Sequence, residues 1–183
     1  ARYIYGISSS NAYVGVGTTG TDFDIACSGG GSTSVTGQSR GTNYTNTTCG
    51  GSAEGAGDAV RYYNTTQPIA AIQQADSDGG ESTVYLPSLE FSAEYFLPTD
   101  AAYLAIVCSP EWGDVNLAVY DNTDSIVAGT ELTCSPSGTQ PGKQYLGSPD
   151  TTTYNAGYSI ASTDDPQKPF YLLFGHLIEW RLV

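Results

Sequence analysis

Short runs rich in Val, Ile, Tyr, Phe and Thr recur at spacings of roughly ten residues, each closed by Gly, Pro, Asn, Asp or Ser. That rhythm constrains the fold more than any other feature of the chain. Arg2–Ile7, Asn11–Val16 and Asp22–Cys27 are the first three such runs, and Phe23 and Ile25 share one face of the third. Ser82–Phe91 is a fourth, with Pro87 confining it to a sheet edge or a bulge. Ala102–Cys108 is apolar throughout, as in a strand buried on both faces, and Asp114–Tyr120 alternates with Val115, Leu117 and Val119 inward. Ser125–Ala128, Glu131–Cys134 and Tyr154–Ile160 continue the series. Pro68–Ile72 is one of the few stretches that tolerates a helical turn. The expectation is an all-β chain, a single β-sandwich domain over 1–183 of jelly-roll or Greek-key type, with little helix.

Two stretches depart from the pattern. Ser28–Asp58 has almost no apolar residues and reads as a loop or weak edge strand, a Gly/Ser/Thr-rich loop region that either holds a short strand around Ser34–Thr36 or is a glycosylated excursion on the surface. Ser135–Asp150 is a second Pro/Gly/Ser loop. At the other extreme, Pro169–Val183 is the most apolar segment. It reads as two strands about Gly175-His176, or one kinked strand, with Ile178, Trp180 and Leu182 on one face and Glu179 and Arg181 on the other.

Charge and cysteine usage narrow the class of protein. The net charge is −13, with 19 acidic residues against 6 Lys and Arg. Nucleic acid and anionic membranes call for basic clusters, which this chain lacks. Four cysteines, Cys27, Cys49, Cys108 and Cys134, lie far apart with no CxxC, so disulfides in an oxidising compartment fit better than zinc. Three pairings are possible. The sequential one, 27–49 and 108–134, closes two loops worth roughly 3 kcal/mol each. N-x-[ST] sequons at Asn43, Asn46 and Asn64 point to N-linked glycans and an extracellular or cell-surface location. The chain begins at Ala1 without a leader-like segment and has no run long and apolar enough to span a membrane, as expected of a mature secreted product.

Chemistry-bearing patterns are few. Gly37-Gln38-Ser39-Arg40-Gly41 matches the nucleophile elbow, and His176 follows in the right order, but the strand–helix flanks that an elbow needs are absent. A glycosidase carboxylate pair could be drawn from Glu81, Glu90, Glu94, Glu111, Asp114 and Glu179, a choice that so acidic a chain offers by chance. Neither pattern argues for an enzyme. Asp76, Asp78 and Glu81 form a D-x-D-G-x-E turn able to offer oxygen ligands to calcium. Weaker cation candidates are Asp121 with Asp124, Asp164 with Asp165, and Asp22 with Asp24. The 14 tyrosines could stack sugars, but strand cores and interfaces are their commoner use.

The strand-like ends, RYIYGI and FYLLFGHLIEWRLV, together with the Thr/Gly/Tyr-rich composition and the sequons, resemble secreted β-sandwich filament or tube subunits of the donor-strand kind, the archaeal cannula, thread and bundling-pilus type. The resemblance implies self-association by strand addition and, for some members, calcium at subunit contacts. Tyr3, Ile4 and Tyr5 at one end and Ile178, Trp180 and Leu182 at the other are then the expected subunit interface. The alternative is a monomeric secreted carbohydrate-binding β-sandwich module.

Overall fold

The structure is a computed structural model and describes residues 3–8, 12–51, 57–73, 83–147 and 154–175. The first half of the chain supplies β1 (Ile4–Ile7), β2 (Ala12–Val16), β3 (Thr21–Cys27), β4 (Ser32–Gln38), β5 (Asn43–Thr45), β6 (Ala59–Tyr63), β7 (Ile69–Gln73), β8 (Thr83–Val84) and β9 (Leu86–Pro87). The second half supplies β10 (Glu94–Phe96), β11 (Tyr103–Cys108), β12 (Val115–Tyr120), β13 (Leu132–Cys134), β14 (Gly142–Gly147), β15 (Ser159–Ser162) and β16 (Tyr171–Gly175). A single 3₁₀ turn, Ser88–Glu90, joins the halves among the described residues.

All pairings between these strands are antiparallel, and they make four sheets in the orders β4-β3-β6-β1-β9, β5-β2-β7-β8, β14-β11-β16 and β10-β15-β12-β13. Side-chain alternation decides how the sheets stack. Val14 and Val16 of β2 meet Phe23 and Ile25 of β3 and Tyr62 of β6, which closes an N-terminal sandwich. Leu104 and Ile106 of β11 meet Val115, Leu117 and Val119 of β12 and Ile160 of β15, which closes a C-terminal one. The opposite faces of β1 and β11 meet in a third core, where Tyr5, Ile7 and Ala59 pack on Ala105, Val107 and Tyr171. The sheets therefore lie in four layers, with β1 and β11 in the two inner ones. That position explains why β11 is apolar at every residue: each of its faces enters a different core.

Each sandwich carries one disulfide. Cys27, the last residue of β3, bonds Cys49 beyond β5, and Cys108 of β11 bonds Cys134 of β13. This is the sequential pairing favoured from the sequence.

Several local expectations change. Ile69–Gln73 is a strand, not a helical turn, because β2 pairs with it over its full length. Ser28–Asp58 holds two strands, β4 and β5, whose Thr, Ser and Asn residues are held by one inward side chain each, Val35 of β4 and Tyr44 of β5. Ser135–Asp150 contains β14, which pairs along the whole of β11. Pro87 lies on β9, an edge strand, as a residue without an N–H should. Ser125–Ala128 reduces to one bridge, Tyr120 to Ile126.

Candidate functional site

The most polar part of the interior is the seam between the sandwiches. Arg61 sits on the β6 face that looks toward the C-terminal half, buried to 6% exposure. Its Nη1 donates to the Thr139 carbonyl at 3.0 Å, and its Nη2 meets Glu111 Oε1 at 3.3 Å. The guanidinium lies over the rings of Tyr3 and Tyr63, 4.4 and 4.8 Å from their centroids. Beside it, the Tyr5 hydroxyl and Ser109 Oγ share a hydrogen bond of 2.8 Å, and Ser109 Oγ accepts from the Glu111 N–H at 3.2 Å. Burial is the main reason the Tyr5 phenol is pushed far above its usual range. The Phe91 ring bridges the seam, within 5.2 to 5.9 Å of Tyr5, Trp112 and Tyr171. Lys143 donates to the Gly57 carbonyl from the other half, and burial holds its ammonium pKa below the usual value against the pull of Asp58. The arrangement is a tie between halves: Arg61 pairs with Glu111 and donates to the Thr139 carbonyl, while its Nε is buried without a hydrogen-bond partner.

Of the residues expected at a subunit interface, Tyr3, Ile4 and Tyr5 are thus turned to contacts within the chain. β1 is flanked by β6 and β9, Ile4 packs on the N-terminal core, and Tyr5 is fully buried in the seam. Ile178, Trp180 and Leu182 lie outside the described residues, as do His176 and the calcium candidates Asp76, Asp78 and Glu81.

Among the described cation candidates, Asp22, Asp24, Asp121 and Asp164 accept from protein donors. Asp22 accepts from the Gly37 N–H at 2.7 Å, and Asp24 accepts from Ser34 Oγ and Asn64 Nδ2 at 2.6 and 2.7 Å, so both carboxylates tie β4 and the turn after β6 to β3. Asp121 closes its own turn by accepting from Thr123 Oγ1 and the N–H groups of Thr123 and Ser125; the Thr123 hydroxyl bond leads in lowering its pKa. Asp164 accepts two bonds from Asn116 and lies near Lys168; desolvation opposes these contacts, but its pKa is still lowered. No group of three or more His, Cys, Asp or Glu among the described residues is placed to hold a metal ion.

Ser39 follows β4 in a turn whose Thr42 N–H donates back to the Ser39 carbonyl, and the chain then enters β5. The helix that a nucleophile elbow requires does not follow it.

The sequons separate by burial. Asn43 is exposed on β5 and faces Gly15 across the sheet. Asn64 is exposed in a turn at φ 50°. Asn46 is 3% exposed, its Oδ1 accepting the Thr48 N–H at 2.9 Å, so the folded chain cannot present its amide to a glycan-bearing surface. The sequence pattern N-T-T carries no sign of this, because the signal is the register of Asn46 beside β2.

Outward, two features stand out. A broad, shallow hollow of about 460 Å³ lies over Gly15, Ala70, Pro68 and Ile69, with Asn43 at its rim. β4, seven residues long, is the outer strand of its sheet and pairs with β3 on one side only among the described residues. It has neither Pro nor a charged side chain, two of the usual devices that protect an open edge, although its pairing with β3 shifts register between Thr21 and Phe23, a bulge that is a third. The sequence reads this stretch as a loop or weak edge strand with a short strand around Ser34–Thr36, and β4 extends beyond it at both ends. Its signal was weak because one inward Val among Ser, Thr and Gly gives little alternation.

No protein-family model matches the chain, no curated protein is detectably similar to it, and no solved structure matches its fold.

Proposed function

We propose that this protein is a secreted structural subunit whose copies join by β-strand addition into an extracellular filament, tube or surface layer. The observation that carries the reading is the open edge of β4, a seven-residue strand that pairs on one side only among the described residues and carries neither Pro nor a charged side chain. The apolar, alternating segment Leu177–Val183 is the natural donor, since its Ile178, Trp180 and Leu182 fall on one face and its length equals that of β4. A donor from one copy and an acceptor on the next make a heterologous contact, which propagates instead of closing. Both disulfides fit an oxidising, extracellular setting, and exposed Asn43 and Asn64 are the sequons available for glycans. Calcium at Asp76, Asp78 and Glu81 would relieve the repulsion between copies that each carry −13.

The test is electron microscopy and size exclusion of the full chain, with calcium and with a chelator, beside a variant lacking 177–183. Extended particles that the deletion reduces to monomers, and that the free seven-residue peptide inhibits, are expected. A clean monomer at high concentration with calcium present overturns the proposal, as do particles indifferent to the deletion.

A further inference from the structure

Four buried side-chain polar atoms among the described residues have no hydrogen-bond partner, and three of them, Asn46 Nδ2, Tyr62 Oη and Gln73 Oε1, belong to the N-terminal sandwich. The strand register brings two of these residues to either side of Ala12. Gln73 is its direct partner on β7, and the Asn46 N–H donates to the Ala12 carbonyl from the β5 side at 2.9 Å. Residues at matching positions on adjacent strands share a face, and all three are buried inward. Between two longer side chains, Ala12 offers only a methyl group. Tyr62 comes from the facing sheet and is fully buried. Burial drives its phenol pKa up, and the Asn46 amide is the main influence opposing that rise, although the two groups do not meet hydrogen-bond geometry.

From this arrangement we infer that the space over Ala12 binds one internal water molecule, held by Asn46 Nδ2, Tyr62 Oη and Gln73 Oε1. The donor and acceptor roles match. Asn46 Oδ1 is already engaged by the Thr48 N–H, which fixes the amide with Nδ2 facing inward as a donor to the water oxygen. The water in turn donates to Gln73 Oε1, and the Tyr62 hydroxyl completes the usual set of about three partners. A metal ion does not suit the site, because all three side chains are neutral and one of the three atoms is an N–H donor. An unbridged arrangement would leave three polar groups desolvated in one core, each a substantial cost.

The sign of a stability change distinguishes a bridged site from a dry one. With water bound, Gln73→Leu removes the acceptor that holds it and displaces it, so Asn46 and Tyr62 lose their shared partner and the thermal midpoint falls by several degrees. In a dry site the same change removes an unpaired acceptor, and the midpoint rises. Tyr62→Phe gives the same contrast with a smaller change of shape, and serves if Gln73→Leu does not fold. A crystal structure of the unaltered protein, at a resolution that shows ordered solvent, is the direct measurement. Density within hydrogen-bond distance of at least two of the three atoms is expected. Absence of such density, or a rise in midpoint for either variant, overturns the inference.

Discussion

Gly6 shows how a single position in β1 serves two cores. Its neighbours Tyr5 and Ile7 face the seam, so Gly6 faces the N-terminal sandwich, where the Tyr85 ring lies against it. A Cβ at Gly6 would fall 2.1 Å from Tyr85 Cδ1, far inside contact distance. Tyr85 cannot simply withdraw. It is 3% exposed, its hydroxyl donates to the Ile7 carbonyl at 2.6 Å, and it is the residue at which the chain passes from β8 in one sheet to β9 in the next. Gly6→Ala is therefore expected to destabilise the protein by about 1–3 kcal/mol, the usual cost of overpacking a core. Urea denaturation measures this. A variant as stable as the parent would show that the crossover at Tyr85 is loosely held.

At the scale of elements, each sandwich has its own disulfide, from β3 of an inner sheet to the loop after β5 in one and from β11 to β13 of the facing sheet in the other. Replacing Cys108 and Cys134 by Ala frees a loop of 26 residues in sequence separation and is expected to cost about 3 kcal/mol. The loss belongs first to the C-terminal half: hydrogen exchange should speed up in β12, β13 and β15 while β2, β3 and β7 keep their protection. Equal acceleration in both halves would mean that the seam couples them into one cooperative unit. The strands themselves were unequally legible. β12 announced its inward residues through Val, Leu and Val at period two, and β11 announced burial on both faces by being apolar throughout. β14 did not, since Lys143, Gln144 and the flanking glycines mask a strand whose Tyr145 and Leu146 face two different cores.

For the whole molecule, buried phenols link stability to alkaline pH. Tyr5, Tyr62 and Tyr85 all have pKa values raised well above the usual 10.0, in each case chiefly by burial. A group whose folded pKa exceeds its unfolded one contributes stability that is complete below the unfolded value and is lost as pH climbs toward the folded value. Stability should accordingly hold up to about pH 10 and decline above it. In a titration followed by tyrosinate absorbance, these three phenols should ionise last and together with loss of tertiary signal. Full ionisation of all 14 tyrosines while the fold remains intact would contradict the burial described.

The sequence by itself determined that the chain is all-β, that alternate residues of β3 and β12 share a face and that β11 is buried on both sides, and it favoured the sequential cysteine pairing. These are local properties: period-two alternation, turn residues and loop length act over a few residues or along one connection. Only the tertiary structure decided that the strands divide into two sandwiches joined by a third core, that Arg61 and Tyr5 serve that seam, and that Asn46 is a core residue while Asn43 and Asn64 stay exposed. Arg61 stands in the run Ala59–Tyr63, and its partner Glu111 lies 50 residues away. Which face of a sheet meets which depends on registers set between distant strands, and no short-range pattern carries that information.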